Sequence, residues 1–185
     1  QIAMEFATEI GADHLLEEEV DNMQTVFNWN KAYTVDTYSY NKFNKNKGIP
    51  DLKADVNIYT DGSRFGAYRS GAGMSAWKTH DQPNGRVEFP IHGHDRTGAY
   101  LEDQGIFICE IYGAGMGADC IMDIHKRYDL KSASVFIDSQ ACLKALAAPK
   151  VTSTQVLHSA NKTNEAAKIL PEGPTLKRVN AQVEG

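Results

Sequence analysis

Between Val56 and Ile91 three strand-like runs follow one another with connections too short to hold a crossover helix, which forces an antiparallel meander. The first run alternates Val56, Ile58 and Thr60 against Asn57, Tyr59 and Asp61, and is expected to end at the turn pair Asp61–Gly62. The second, Ser70 to Lys78, opens on Gly71, Ala72 and Gly73, small residues that suit a strand crossed closely by neighbouring backbone. Arg86 to Ile91 reads as the third. Beyond the meander the pattern changes period. Met116, Cys120, Ile121, Ile124 and Tyr128 stand at helical spacing within Tyr112 to Tyr128, although Gly113, Gly115 and Gly117 would each cost about 1 kcal/mol against Ala.

A compact β-branched and aromatic strand follows over Ser134 to Ile137 and ends at Asp138. Ser139 is placed to cap a short helix through Cys142, Leu143 and Leu146. Thr152 or Ser153 would cap another helix running to about Leu170, with Pro171 and Gly173 as stop signals, and Thr175 to Val183 closes as a last strand. The expected order is three strands, helix, strand, two helices, strand: an α/β domain with a mixed five-stranded sheet flanked by helices.

Residues 1–54 differ in kind, with five basic and nine acidic side chains against fourteen and fifteen in the remainder. Gly11 to Phe27 reads as one amphipathic helix with a solvated acidic face, and Asn41 to Gly48 as a linker ending at Ile49–Pro50. The chain thus divides into a helical and coil extension, 1–54, and a folded domain, 55–185. A net charge of -5 gives no broad attraction to nucleic acid or anionic membrane, so a nucleic-acid partner must be held by local geometry. Apolar runs such as Ile106 to Cys109 are far short of the roughly 20 residues of a membrane span, and no signal-peptide core opens the sequence. The expectation is a soluble intracellular protein. Its first residue, Gln1, leaves open a removed targeting segment. Cys109, Cys120 and Cys142 make an odd number in apolar surroundings with no Cys-x-x-Cys pair, as expected of small buried hydrophobes.

The informative acids are those set into apolar segments: Asp61, Glu110 after Ile106–Cys109, and Asp138 after Val135–Ile137. A carboxylate there must be paired, hydrogen-bonded, protonated or bound to a cation. Oxygen donors of this kind suit Mg²⁺ or Mn²⁺ rather than zinc. Taken singly, Asp61 could serve only a turn and Asp138 only a helix cap.

Ile58 to Ser63, then Gly71–Ala72–Gly73, then Glu110, then Ile137–Asp138–Ser139–Gln140–Ala141, with Thr152–Ser153 and Val156 downstream, resembles the ribonuclease H domain of non-LTR retrotransposon reverse transcriptases over about Asp55 to Val183. The resemblance implies a ribonuclease H-like fold in which Asp61, Glu110 and Asp138 are three of four acids holding two divalent ions, Mg²⁺ or Mn²⁺. It implies hydrolysis of the RNA strand of an RNA–DNA hybrid, with Gly62, Ser63, Ser139 and Gln140 as candidate nucleic-acid contacts. The family's last strand leads into a turn carrying a proton-shuttling His and then a helix supplying the fourth acid. Here Arg178 to Gly185 stands instead, with Gln182 near the His position and no Asp after it; Glu184 lies too early to substitute. The expected domain therefore lacks the final helix, and its activity would be weak or absent, because Gln exchanges no proton near neutral pH.

Two other readings stay open. A non-catalytic ribonuclease H-like subunit of a larger assembly would explain the altered ending. Gly113 to Ala118 also matches a dinucleotide-binding fingerprint, with Asp138 at a suitable distance. His92–Gly93–His94–Asp95 could share one ion, but reads more simply as a polar loop, and His14, His80, His125 and His158 stand isolated.

Overall fold

The structure, a computed structural model, describes residues 27–28, 30–36, 53–65, 69–94, 97–102 and 105–178. The expected helix over 11–27 falls outside these except at Phe27, and so do the linker 41–48 and the ending 179–185. Among the described residues the elements in chain order are β1 (Phe27–Asn28), β2 (Thr34–Val35), β3 (Val56–Phe65), β4 (Arg69–Gln82), β5 (Gly85–Pro90), β6 (Thr97–Glu102), α1 (Ile106–His125), β7 (Ala133–Ile137), α2 (Gln140–Ala147), β8 (Lys150–Val151), α3 (Thr154–Ile169) and β9 (Thr175–Arg178).

One sheet organises the domain, in the order β2-β9-β7-β3-β4-β5, with β6 also on β4. The antiparallel meander β3–β4–β5 is present, and β7 and β9 join it in parallel, each after a helix. All five predicted strands exist, but the sheet is wider than five. β5 pairs Trp77 to Gln82 and β6 pairs Arg69 to Met74, so two short strands share the same edge of the 14-residue β4. Thr34–Val35 adds a further parallel strand outside β9. Thr34–Val35 is too short to show a period, and Thr97 to Glu102 carries no sustained alternation. Phe27, the expected end of a helix, lies instead in β1, which pairs with β8.

Two corrections concern the site. Asp61–Gly62 is no turn: β3 runs through it, pairing Asp61 with Gly73 and Gly62 with Ala72, and the small partner residues let this pairing continue to Phe65. The helix expected from Tyr112 begins six residues earlier, so Ile106 to Cys109 forms the first turn of α1 and not the strand a dinucleotide-binding unit would need. That places Gly113 to Ala118 in mid-helix, where no glycine-rich phosphate loop exists, and removes the dinucleotide-binding reading.

The glycines that weaken α1 as an isolated helix let it lie close to the sheet. A Cβ on Gly117 would meet Val135, Thr60 and Ile58 side chains at 3.3–3.5 Å, and one on Gly113 would meet Thr60 and Ala72. Gly115 faces α3, where a Cβ would lie 2.8 Å from Ser159 Oγ. The core fills this layer with Val56, Ile58, Val135 and Ile137 from the strands, Ile111, Ile121 and Ile124 from α1, and Leu143, Leu146 and Leu157 from the other helices. α2 starts at the predicted cap, Ser139 Oγ accepting from Cys142 N, and α3 at Ser153, whose Oγ accepts from Val156 N. All three cysteines are free and buried, as their setting predicts. No helix among the described residues is long and apolar enough to cross a membrane.

Candidate active site

β3 and β7 are parallel neighbours with Tyr59 opposite Phe136. The two rings stack at 5.0 Å and 11°. Carried two residues further, that register sets Asp61 beside Asp138, on strands spaced about 4.8 Å apart. Thr60 Oγ1 reinforces the alignment from the other face by donating to Phe136 O at 2.9 Å.

The third acid comes from α1, and Gly62 determines how near it comes. A Cβ on Gly62 would lie 2.5 Å from Glu110 N and 2.7 Å from Cys109 C, so only glycine lets the start of the helix rest on the strand. Glu110 is thereby carried into the interior with 7% of its surface exposed, whereas Asp61 is exposed and Asp138 half-buried.

The electrostatics tie the three together. Burial, then the Asp61 charge, push the Glu110 carboxyl up to about 7, with Asp138 adding to the rise and the Gly62 backbone N–H opposing it. Asp61 is raised by burial and by Asp138, again opposed by the Gly62 N–H. Asp138 thus makes both Asp61 and Glu110 harder to ionise, and Asp61 does the same to Glu110, the signature of like charges sharing a site. Glu110 Oε2 is buried without a hydrogen-bond partner. An orphaned carboxylate oxygen among oxygen-only donors fits a hard divalent ion such as Mg²⁺ or Mn²⁺. Among the described residues, however, no three His, Cys, Asp or Glu side chains already form a closed metal-binding cluster.

The other candidates divide. Gly62 is buried against α1 and Ser63 is exposed in β3. Ser139 and Gln140, half-buried, open α2 directly after Asp138. Gln182 and Glu184 lie outside the described residues. The sequence reading took Cys142 only as a buried hydrophobe, whereas its thiol, 3.6 Å from Phe107 O, is pushed up by burial and, less strongly, by the Glu110 charge, and it missed the Tyr59–Phe136 stack. The aromatics stood two residues before the two acids, which was the available signal.

No family model matches the chain, and no curated protein matches it in sequence. Solved structures do. The ribonuclease H1 of the halophilic archaeon Halobacterium salinarum superposes with a TM-score of 0.50 at 13% identity, over 68% of this chain and 86% of its own. The N-terminal ribonuclease H domain of a Mycobacterium tuberculosis protein, studied as a fusion with maltose-binding protein, gives 0.52 at 16% identity, over 71% and 86%. The fold is that of ribonuclease H. At these identities the likeness is one of fold, and the chemistry of this ribonuclease H-like domain rests on its own residues.

Proposed function

We propose that the domain is a divalent-metal-dependent nuclease that hydrolyses the RNA strand of RNA–DNA hybrids. The observation that carries this reading is the buried, unpartnered oxygen of Glu110, whose carboxyl feels the charges of both Asp61 and Asp138, the three acids being drawn from α1, β3 and the end of β7. The fold of the solved ribonuclease H structures supports it.

Asp61, Glu110 and Asp138 would hold Mg²⁺ or Mn²⁺, which when bound supplies positive charge for the phosphodiester oxygens and makes water a stronger acid. The chain's residues prepare that site. Asp61, within β3, and Asp138, just after β7, would present their carboxylates side by side. Glu110, with its carboxyl near pH 7, gives up its proton when a cation balances the cluster. Gly62 keeps α1 seated and directs its N–H at the acids. Ser63, Ser139 and Gln140 border the cluster, and hydroxyl and amide groups there suit contacts to the 2′-hydroxyls that distinguish RNA from DNA. The reverse-transcriptase context of the protein rests on the residue strings around Asp61, Gly71–Gly73, Glu110 and Asp138, and its action inside the cell on the sequence's short apolar runs.

A hybrid with labelled RNA, incubated with Mg²⁺ or Mn²⁺, tests the proposal against an Asp61→Asn variant. Cleavage by the wild type that falls by orders of magnitude in the variant supports it. Folded wild-type protein that leaves the RNA strand intact favours the alternative, a non-catalytic ribonuclease H-like subunit of a larger assembly.

A further inference from the structure

The loop between β5 and β6 is built with more care than a connecting turn requires. Ile91 to His94 closes on itself, His94 N donating to Ile91 O at 2.9 Å, with Gly93 at a φ of +89° that side-chain-bearing residues rarely adopt. Backbone bonds pin both ends to β4: Ile91 N donates to Ala76 O, and Ala76 N to His94 O. From the turn just after α1, Arg127 Nη1 donates to His92 O at 3.0 Å. The result of this anchoring is that the His94 imidazole is held against α1 between two residues one helical turn apart. Its Nε2 lies 2.9 Å from Asp123 Oδ2, and its Nδ1 lies 3.5 Å from Cys120 Sγ.

A carboxylate only accepts hydrogen bonds, so Nε2 carries the proton shared with Asp123, and in the neutral ring Nδ1 turns its lone pair to the thiol. Without a metal this is a satisfied thiol–imidazole contact. The same arrangement is that of a metal-binding histidine whose second nitrogen is fixed by a carboxylate. A tetrahedral zinc ion with sulfur at about 2.3 Å and nitrogen at about 2.0 Å sets those two ligand atoms about 3.5 Å apart, the separation the structure already holds.

We propose that Cys120 Sγ and His94 Nδ1 form a binding site for a thiophilic divalent cation of the zinc class, with Asp123 as a positioning residue. The site is separate from the oxygen-donor cluster of Asp61, Glu110 and Asp138. Two protein atoms bind the ion and water completes its shell. Binding releases the thiol proton to solvent, so the site gains a thiolate–metal bond and loses one S–H···N contact. The Asp123 carboxylate behind the imidazole adds negative charge that attracts a cation.

Adding Co²⁺ to the full-length, metal-free protein tests this, because a cysteine ligand produces a thiolate-to-cobalt charge-transfer absorption that carboxylates cannot give. The band is expected in the wild type, in Asp61→Asn and in a Cys109→Ala/Cys142→Ala double variant, and is lost in Cys120→Ser. Zn²⁺ should bleach it, and Asp123→Asn should weaken zinc binding by roughly ten- to a hundredfold, the usual effect of removing the carboxylate behind a ligating histidine. A folded wild type that gives no band overturns the proposal, as does a band that survives Cys120→Ser or disappears with Cys109 and Cys142. Zinc affinity unchanged in Asp123→Asn removes the positioning role.

Discussion

Gly62 shows how much a single atom decides at this site. It separates β3 from the first turn of α1, and an added methyl would collide with the backbone at Glu110 N and Cys109 C rather than with a side chain that could rotate away. Gly62→Ala is therefore expected to lose about 3 kcal/mol in denaturant unfolding, the upper end of ordinary overpacking, and to shift α1 so that the Glu110 carboxyl titrates lower. Glu110 also leaves a pH signature. Its carboxyl moves from 4.5 to about 7 in the folded state, so between those values the folded protein binds more protons than the unfolded one, and stability falls as pH rises through that window. In metal-free protein this decline should be shallower in Glu110→Gln than in the wild type when unfolding midpoints are compared across pH. The three acids were legible in the sequence because each interrupts or ends an apolar run. The Glu110 environment was not, since a run of Ile, Phe, Ile and Cys reads alike as strand or buried helix until its neighbours are known.

At the level of elements, α1 is a helix whose sequence opposes its own stability and whose packing reverses the balance. Gly115 illustrates the competition. Replacing it by Ala gains about 1 kcal/mol of helix propensity. The new Cβ, however, would sit 2.8 Å from Ser159 Oγ, which itself donates to Ile111 O. Gly115→Ala is expected to lower the unfolding free energy by about 1–2 kcal/mol despite the propensity gain. Combining it with Ser159→Ala should recover part of the loss, so the pair is non-additive in a double-mutant cycle. Caps and strands with clear periodicity were read directly: Ser139 and Ser153 both cap helices, and β7 differs from its predicted span by one residue. Strand β6 escaped notice because Thr97 to Glu102 carries no sustained alternation, and its partner β4 is longer than the small-residue run suggested.

Across the whole molecule, residues ahead of the regular pattern take part in the domain. Tyr33 is buried and its hydroxyl donates to Leu146 O at 2.6 Å, while Val35 joins the core beside β9. Tyr33→Ala is expected to cost about 3–5 kcal/mol, and Tyr33→Phe only about 1 kcal/mol, in equilibrium unfolding, since the ring fills core volume and the hydroxyl makes one bond. Nothing in Ala32 to Asp36 marked this role, because two residues are too few to display a period. The larger convergence, of acids 49 and 28 positions apart in sequence at one end of the sheet, depends on the parallel register of β3 with β7 and the seat of α1 on Gly62. Carboxyl-carbon NMR of Glu110 as a function of pH tests that convergence most directly. The account predicts a midpoint near 7 that drops in Asp61→Asn and drops again when Mg²⁺ is added to the wild type. A midpoint at the ordinary glutamate value, unmoved by Asp61→Asn and by Mg²⁺, would contradict it.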